Sequence, residues 1–310
     1  MKILVTGVGG FIGSNLADRL IEEGHDVIGI DDFSYGVIEQ VPKEVDFYQR
    51  DIRDDSIYPF FKGVDFVYHL ASKSCLSDCQ LAPVLTADIS VTGTVNVFEA
   101  ARKAGVKKVI YAESSSLYQE SDVFPTPETE LHPGNFYGAA KAAIMHFAEA
   151  YKLSFDMNFT ALRYFCVYGP RQDYRRTMPP VMSAFMIKLL KGQSPIIYGD
   201  GNKRRDFVYV DDVNDFHMQC MADPRTDGGT FNIGTGRSYS IYDIYNLVTE
   251  LLDIHIPKVY EPDTQAEAFE TRAEISRAKV LGWEPRVKIE EGLAVMLDYI
   301  KNEFKLGRIE

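Results

Sequence analysis

The 310 residues predict an α/β protein, a doubly wound parallel sheet joined to a smaller mixed α/β lobe. Three observations carry this. Short β-rich runs alternate with longer helical stretches up to about residue 168. The runs are continuously apolar, as strands covered on both faces are. Beyond residue 168 the alternation gives way to loops and turns.

In chain order, the predicted strands are Lys2–Thr6, Val27–Asp31, Asp65–Leu70, Lys108–Glu113 and Phe159–Phe165. The predicted helices between them are Phe11–Glu23, Ala87–Ala104 and Tyr137–Leu153. A loop, Tyr168–Arg176, leads to a Met-rich helix over Pro179–Lys191. Tyr198-Gly-Asp-Gly-Asn is turn chemistry. Ser240, three residues before Asp243, reads as an N-cap opening a helix to Leu252, and a helix over Ile289–Phe304 closes the chain. A cleft between the lobes is where a ligand would sit.

Composition narrows the function. With 33 basic and 45 acidic residues the net charge is −12, which argues against nucleic acid or an anionic membrane as partner. No apolar run approaches a membrane span, and the N-terminal apolar run is too short for a signal peptide. Cys75, Cys79, Cys166 and Cys220 lack the spacing of a zinc site and read as reduced thiols, so we expect no metal and a cytoplasmic location. Lys103, Lys107 and Lys108 read as a solvated helix end. His69 reads as a core histidine, and Met178, Met182 and Met186 as packing.

The first strand runs into Gly7-Val8-Gly9-Gly10-Phe11-Ile12-Gly13 and then a helix. Glycine allows the tight turn and lets a pyrophosphate approach the helix N-terminus. Asp31 ends the second strand, 18 residues beyond Gly13, with Asp32 beside it. A carboxylate there accepts ribose hydroxyls and repels a 2′-phosphate, so NAD is expected over NADP.

Tyr137 and Lys141 lie one helical turn apart on one face. A phenol with a pKa of ~10 is a poor base at neutral pH, and a nearby ammonium favours the phenolate. Ser114, Ser115 and Ser116 follow a predicted strand, where side chains project into the crevice of a parallel sheet.

In order, the glycine turn, Asp31, Asp51-Ile52, His69-Leu-Ala71, the serine run, YxxxK, Leu162-Arg-Tyr-Phe, Val167-Tyr-Gly-Pro, Arg205-Asp-Phe-Val-Tyr-Val-Asp-Asp212 and Leu281-Gly-Trp-Glu-Pro285 span nearly the whole chain. This series resembles the extended short-chain dehydrogenase/reductase family of NAD-dependent sugar-nucleotide epimerases and dehydratases.

The resemblance implies a Rossmann NAD-binding domain over 1–168, with about 205–237 returning to it, and a sugar-nucleotide-binding domain over 169–310. It implies Ser114, Tyr137 and Lys141 as catalytic residues. NAD would be held by Gly7, Gly10, Phe11, Ile12, Gly13, Asp31, Asp32, Asp51, Ile52, Leu70, Ala71, Ser90, Tyr137, Lys141 and Tyr164. The sugar nucleotide would meet Ser115, Ser116, Cys166, Tyr198, Arg205 and Thr271. Relatives that dehydrate or decarboxylate carry an acid shortly after the catalytic hydroxyl. None follows Ser114, and Glu113 should point away. The implied activity is therefore 4-epimerisation of a UDP-hexose or UDP-N-acetylhexosamine through a 4-keto sugar. A 4,6-dehydratase, a C2 epimerase and a non-catalytic NAD-binding regulator stay open. Ser90, Cys166 and Thr264 depart from the family pattern at positions near cofactor and substrate. Relatives imply a homodimer through the helices Ala87–Ala104 and Tyr137–Leu153. Two clusters, Arg171/Arg175/Arg176 and Lys203/Arg204/Arg205, read as a basic patch suited to a diphosphate.

Overall fold

The computed structural model describes residues 1–176, 178–263 and 267–309; Thr264 lies outside them. Seven parallel strands form the central sheet: β1 (Lys2–Thr6), β2 (Asp26–Asp31), β3 (Asp46–Gln49), β4 (Phe66–His69), β5 (Lys108–Ser114), β6 (Phe159–Tyr164) and the strand Thr230–Ile233. Their spatial order is Thr230–Ile233, β6, β5, β4, β1, β2, β3. The chain therefore winds one way from β1 to β3 and returns to the other side of β1 at β4. That switch point opens a crevice at the carboxyl ends of β1 and β4.

Strand pleating divides the core. Ile110 and Ala112 of β5 face one layer, with Leu16, Ala17 and Leu20 of helix Phe11–Glu22 and Val213 and Phe216 of helix Val210–Ala222. Val109 and Tyr111 face the other, with Val97, Phe98, Ile144 and Ala148 from helices Gly93–Ala104 and Phe136–Phe155. A third core gathers helices Val181–Leu190, Ile241–Leu252 and Ile289–Lys305 around Met186, Ile244, Val248, Leu293 and Met296. Met182 and Met186 are buried there as packing. Ser240 caps its helix reciprocally with Asp243.

The structure departs from the sequence expectations in three places. β3 and Thr230–Ile233 are short edge strands whose mixed polar character hid them. The stretch expected as one helix over Ala87–Ala104 is a helix Pro83–Ala87, a π-turn Asp88–Thr92 and a helix Gly93–Ala104. Lys108 is not a solvated helix end. It is buried, its ammonium donating to the Cys220 carbonyl at 2.7 Å, Thr226 Oγ1 at 2.6 Å and Asp227 at 2.6 Å.

Candidate active site

The glycine turn is tightly built. Gly7 has φ of +75°, and a Cβ on Gly13 would stand 2.1 Å from the Gly7 carbonyl oxygen, so a side chain is excluded there. The Asp31 carboxylate accepts the Gly9 N–H at 2.9 Å and the Phe33 N–H at 2.8 Å. Burial pushes its pKa up, and those backbone bonds oppose the rise. Around this turn a cavity is lined by Gly7, Gly10, Phe11, Ile12, Gly13, Asp31, Asp32, Asp51, Ile52, Leu70, Ala71, Tyr137, Lys141 and Tyr164. Asp51 is held by Arg53, which lowers its pKa and also reaches Asp88 at 2.6 Å.

Ser90 is the exception among the expected cofactor contacts. Its hydroxyl meets Ser72 Oγ at 3.0 Å and accepts the Lys73 N–H at 3.3 Å, so it supports the loop after β4 while Ile89 lines the cavity. His69 braces the same loop. Thr94 donates to the Ser90 carbonyl at 2.6 Å, so its oxygen accepts from His69 Nε2, and Nδ1 accepts the Thr6 hydroxyl at 2.8 Å. Burial lowers the His69 pKa to about 3, which keeps the ring neutral.

Ser114 ends β5, and Tyr137 lies in the first turn of the helix capped by Asn135. The Ser114 and Tyr137 side chains are hydrogen-bonded. Burial raises the Tyr137 pKa; the Ser114 bond and the charge of Arg176 pull it down. Lys141 is buried, donates to the Ala112 carbonyl at 2.7 Å and stands 5.6 Å from the Tyr137 ring centre. Burial lowers its pKa to about 8, and Glu113 opposes the drop. Ser114 and Arg176 favour the phenolate, and the Lys141 ammonium faces the same ring. Tyr164 lines the wall, with its hydroxyl 2.6 Å from His217 Nε2.

Glu113 points away from this constellation. It is wholly buried, pairs with Arg163 at 2.7 Å and accepts the Tyr111 hydroxyl at 2.9 Å. Arg163 also donates to Tyr118 Oη at 2.9 Å and the Glu128 carbonyl at 2.7 Å. This hub ties the serine strand to the loop that leads into the tyrosine helix.

The remaining expected residues are not among those lining the cavity, and Cys166, Arg205 and Thr271 form a second group. Cys166 is hydrogen-bonded to Thr271, and burial raises its pKa to about 11. Asp206 organises the neighbourhood by accepting Thr235 N–H at 2.7 Å, Gly236 N–H at 2.9 Å and Ala273 N–H at 2.9 Å. Arg205 pairs with Glu267 at 3.1 Å. Ser116 Oγ is buried and unpartnered, Ser115 begins a short 3-10 turn, and Tyr198 stands apart on the exposed end of strand Ile196–Tyr198.

The expected basic patch is correspondingly altered. Arg171 pairs with Asp18 at 2.6 Å, Arg175 with Asp173 at 2.8 Å, and Lys203 with Glu267 at 3.6 Å. These cations are matched by carboxylates that the sequence clusters did not reveal. Arg175 and Arg176 of the first cluster line the cavity, as do Lys73 and Tyr35, which no local sequence pattern marked.

Comparison with known proteins agrees with this architecture. The model of the NAD dependent epimerase/dehydratase family matches residues 3–234. A putative UDP-glucose 4-epimerase of Methanocaldococcus jannaschii is 34% identical over 304 residues, covering 97% of this chain and 98% of its own. The crystal structure of a UDP-glucose 4-epimerase from Thermotoga maritima with UDP-glucose superposes with a TM-score of 0.94 at 36% identity, covering 98% of this chain and 100% of the other. A UDP-N-acetylglucosamine 4-epimerase from Methanobrevibacter ruminantium, in complex with UDP-N-acetylmuramic acid, gives 0.93 at 28% identity, covering 97% and 98%. With its glycine turn, Asp31, Tyr137 and Lys141 around one crevice and Ser114 beside the tyrosine, the chain belongs to the NAD dependent epimerase/dehydratase family.

Proposed function

We propose that this protein is an NAD-dependent 4-epimerase acting on a UDP-hexose or UDP-N-acetylhexosamine. The observation that carries the reading is one cavity with two ends. The glycine turn and Asp31 form one, and the Tyr137–Lys141 pair, with Ser114 bonded to the tyrosine, forms the other. The residues fit the cofactor: Gly7, Gly10 and Gly13 line the cavity at the start of a helix with no side chain to keep a phosphate from the backbone, and the close Gly13–Gly7 contact holds the turn in that shape. Asp31 would take the ribose hydroxyls and Lys141 the nicotinamide ribose.

The chemistry that bound NAD supplies is reversible hydride acceptance at the sugar C4. Tyr137 Oη takes the proton of the C4 hydroxyl and returns it to the 4-keto sugar, while Ser114 Oγ fixes the phenol and the reacting oxygen. Lys141, charged below pH about 8, orients the ribose. Loss of a group at C5–C6 needs another acid, and Glu113 is committed to Arg163, which favours epimerisation over dehydration.

We assign Cys166, Arg205 and Thr271, with Ser115, Ser116 and Tyr198, to the sugar nucleotide. We assign 1–168 and about 205–237 to the NAD domain and 169–310 to the substrate domain. The place of Thr230–Ile233 beside β6 supports that division. A cytoplasmic homodimer completes the proposal, supported by the free thiols of all four cysteines and by exposed Leu81, Val84 and Phe147 beside the helices expected to pair. Light scattering in solution tests the dimer.

Incubation with UDP-glucose, UDP-N-acetylglucosamine and dTDP-glucose, followed by product chromatography, tests the activity. Tyr137→Phe should reduce turnover by about 10³-fold while NAD stays bound. Retained turnover would remove Tyr137 from the role of base.

A further inference from the structure

Three side chains that the catalytic reading leaves unused form a bridge over the glycine turn. Lys73, on the loop after β4, is buried and donates from Nζ to Tyr35 Oη at 2.7 Å. Tyr35, on the loop after β2, donates in turn to Asp78 Oδ2 at 2.8 Å, on helix Leu76–Leu81. The Lys73 ammonium also lies 5.2 Å from the Tyr35 ring centre.

The sheet order tells where the bridge runs. β1 lies between β4 and β2, so a bond joining the loops after β4 and β2 crosses the loop after β1, which is the glycine turn. Both loops are seated. The Val37 N–H donates to the Gly9 carbonyl at 3.0 Å, and the Lys73 N–H donates to Ser90 Oγ at 3.3 Å. Tyr35, Lys73, Gly7, Gly10 and Gly13 line one cavity.

We infer that the Lys73–Tyr35–Asp78 bridge is a clasp that retains the dinucleotide, whose diphosphate passes beneath it, so that NAD leaves only when the Tyr35 hydroxyl lets go of two charged partners. The three are positioning residues; none is required for the proton transfer. The inference rests on the NAD site proposed above and is independent of which sugar is turned over.

Its test uses the holo protein loaded with adenine-labelled NAD, with release followed in excess unlabelled NAD. Tyr35→Phe keeps the ring and removes the hydroxyl. Hydrogen bonds to charged groups are strong enough that release should quicken on the order of tenfold. Asp78→Asn and Lys73→Met should each speed release as well, and each added to Tyr35→Phe should add little, because the bridge acts as a unit. The melting temperature of the NAD-free protein should fall only by the few degrees that loss of these hydrogen bonds costs. Release from Tyr35→Phe at the wild-type rate, or wild-type release within the mixing time, would overturn the clasp. Absence of sugar-nucleotide turnover with slow NAD release would count against the epimerase reading and leave the clasp standing.

Discussion

The two groups of site residues are made of different material. The NAD cavity is built on backbone: a glycine turn, the carboxyl ends of β1 and β4, and side chains within one helical turn of each other. The Cys166–Arg205–Thr271 group is built on side chains brought from far apart. Arg205 and Glu267 are separated by 62 residues. A site made of backbone tolerates no change of shape. A site made of paired side chains can be retuned one pair at a time.

The widest gap should come from Gly13→Ala. Its Cβ would meet the Gly7 carbonyl oxygen, a backbone atom that cannot step aside, so we expect a loss of about 3 kcal/mol in stability together with loss of bound NAD. Denaturant unfolding and NAD content after purification read both. A stable, NAD-loaded Gly13→Ala protein would break the contrast.

Lys141→Met gives a smaller effect with a sign that can be worked out. The distance between about 8 and the ordinary 10.5 corresponds to ~3 kcal/mol of burial cost for the ammonium. The folded-state pKa lies below the unfolded one. Wild-type stability therefore rises with pH between about 8 and 10.5, where the unfolded chain binds the extra proton. At pH 7 the methionine variant should be more stable than wild type by up to this amount, less the hydrogen bond to Ala112, and turn over far more slowly. Its advantage should shrink as pH rises through that window. A pH-independent difference in melting temperature would remove Lys141 as the origin.

Glu267→Gln should do least. It frees Arg205 from its partner, and a partly exposed ion pair is worth ~0.5–1 kcal/mol. If Arg205 grips the diphosphate, KM for the sugar nucleotide should fall roughly two- to fivefold with kcat unchanged. An unchanged KM would detach Arg205 from the substrate.

The same difference explains what the sequence revealed. The glycine turn, Asp31 and the Tyr137–Lys141 pair were legible because each depends on neighbours within about twenty positions. The bonds of the Ser90 hydroxyl to Ser72 and the Lys73 N–H could not be read from the sequence, because only the folded loop after β4 creates them. Lys108 was misread because its partners lie 112 to 119 residues away. Asp18 and Glu267, which match Arg171 and Lys203, were invisible for the same reason, whereas Asp173 beside Arg175 lies in the same loop. Local patterns list the cations and say nothing of who faces them.

The hub around Arg163 also bears on how such a protein can change over generations. A carboxylate already stands next to Ser114, on the side before it, yet it is turned into the core and matched by a guanidinium. Turning it outward would strand Arg163 without a counter-charge, at several kcal/mol. The shortest mutational path to a new reaction therefore runs through a new acid after Ser114, while Glu113 stays sequestered with Arg163.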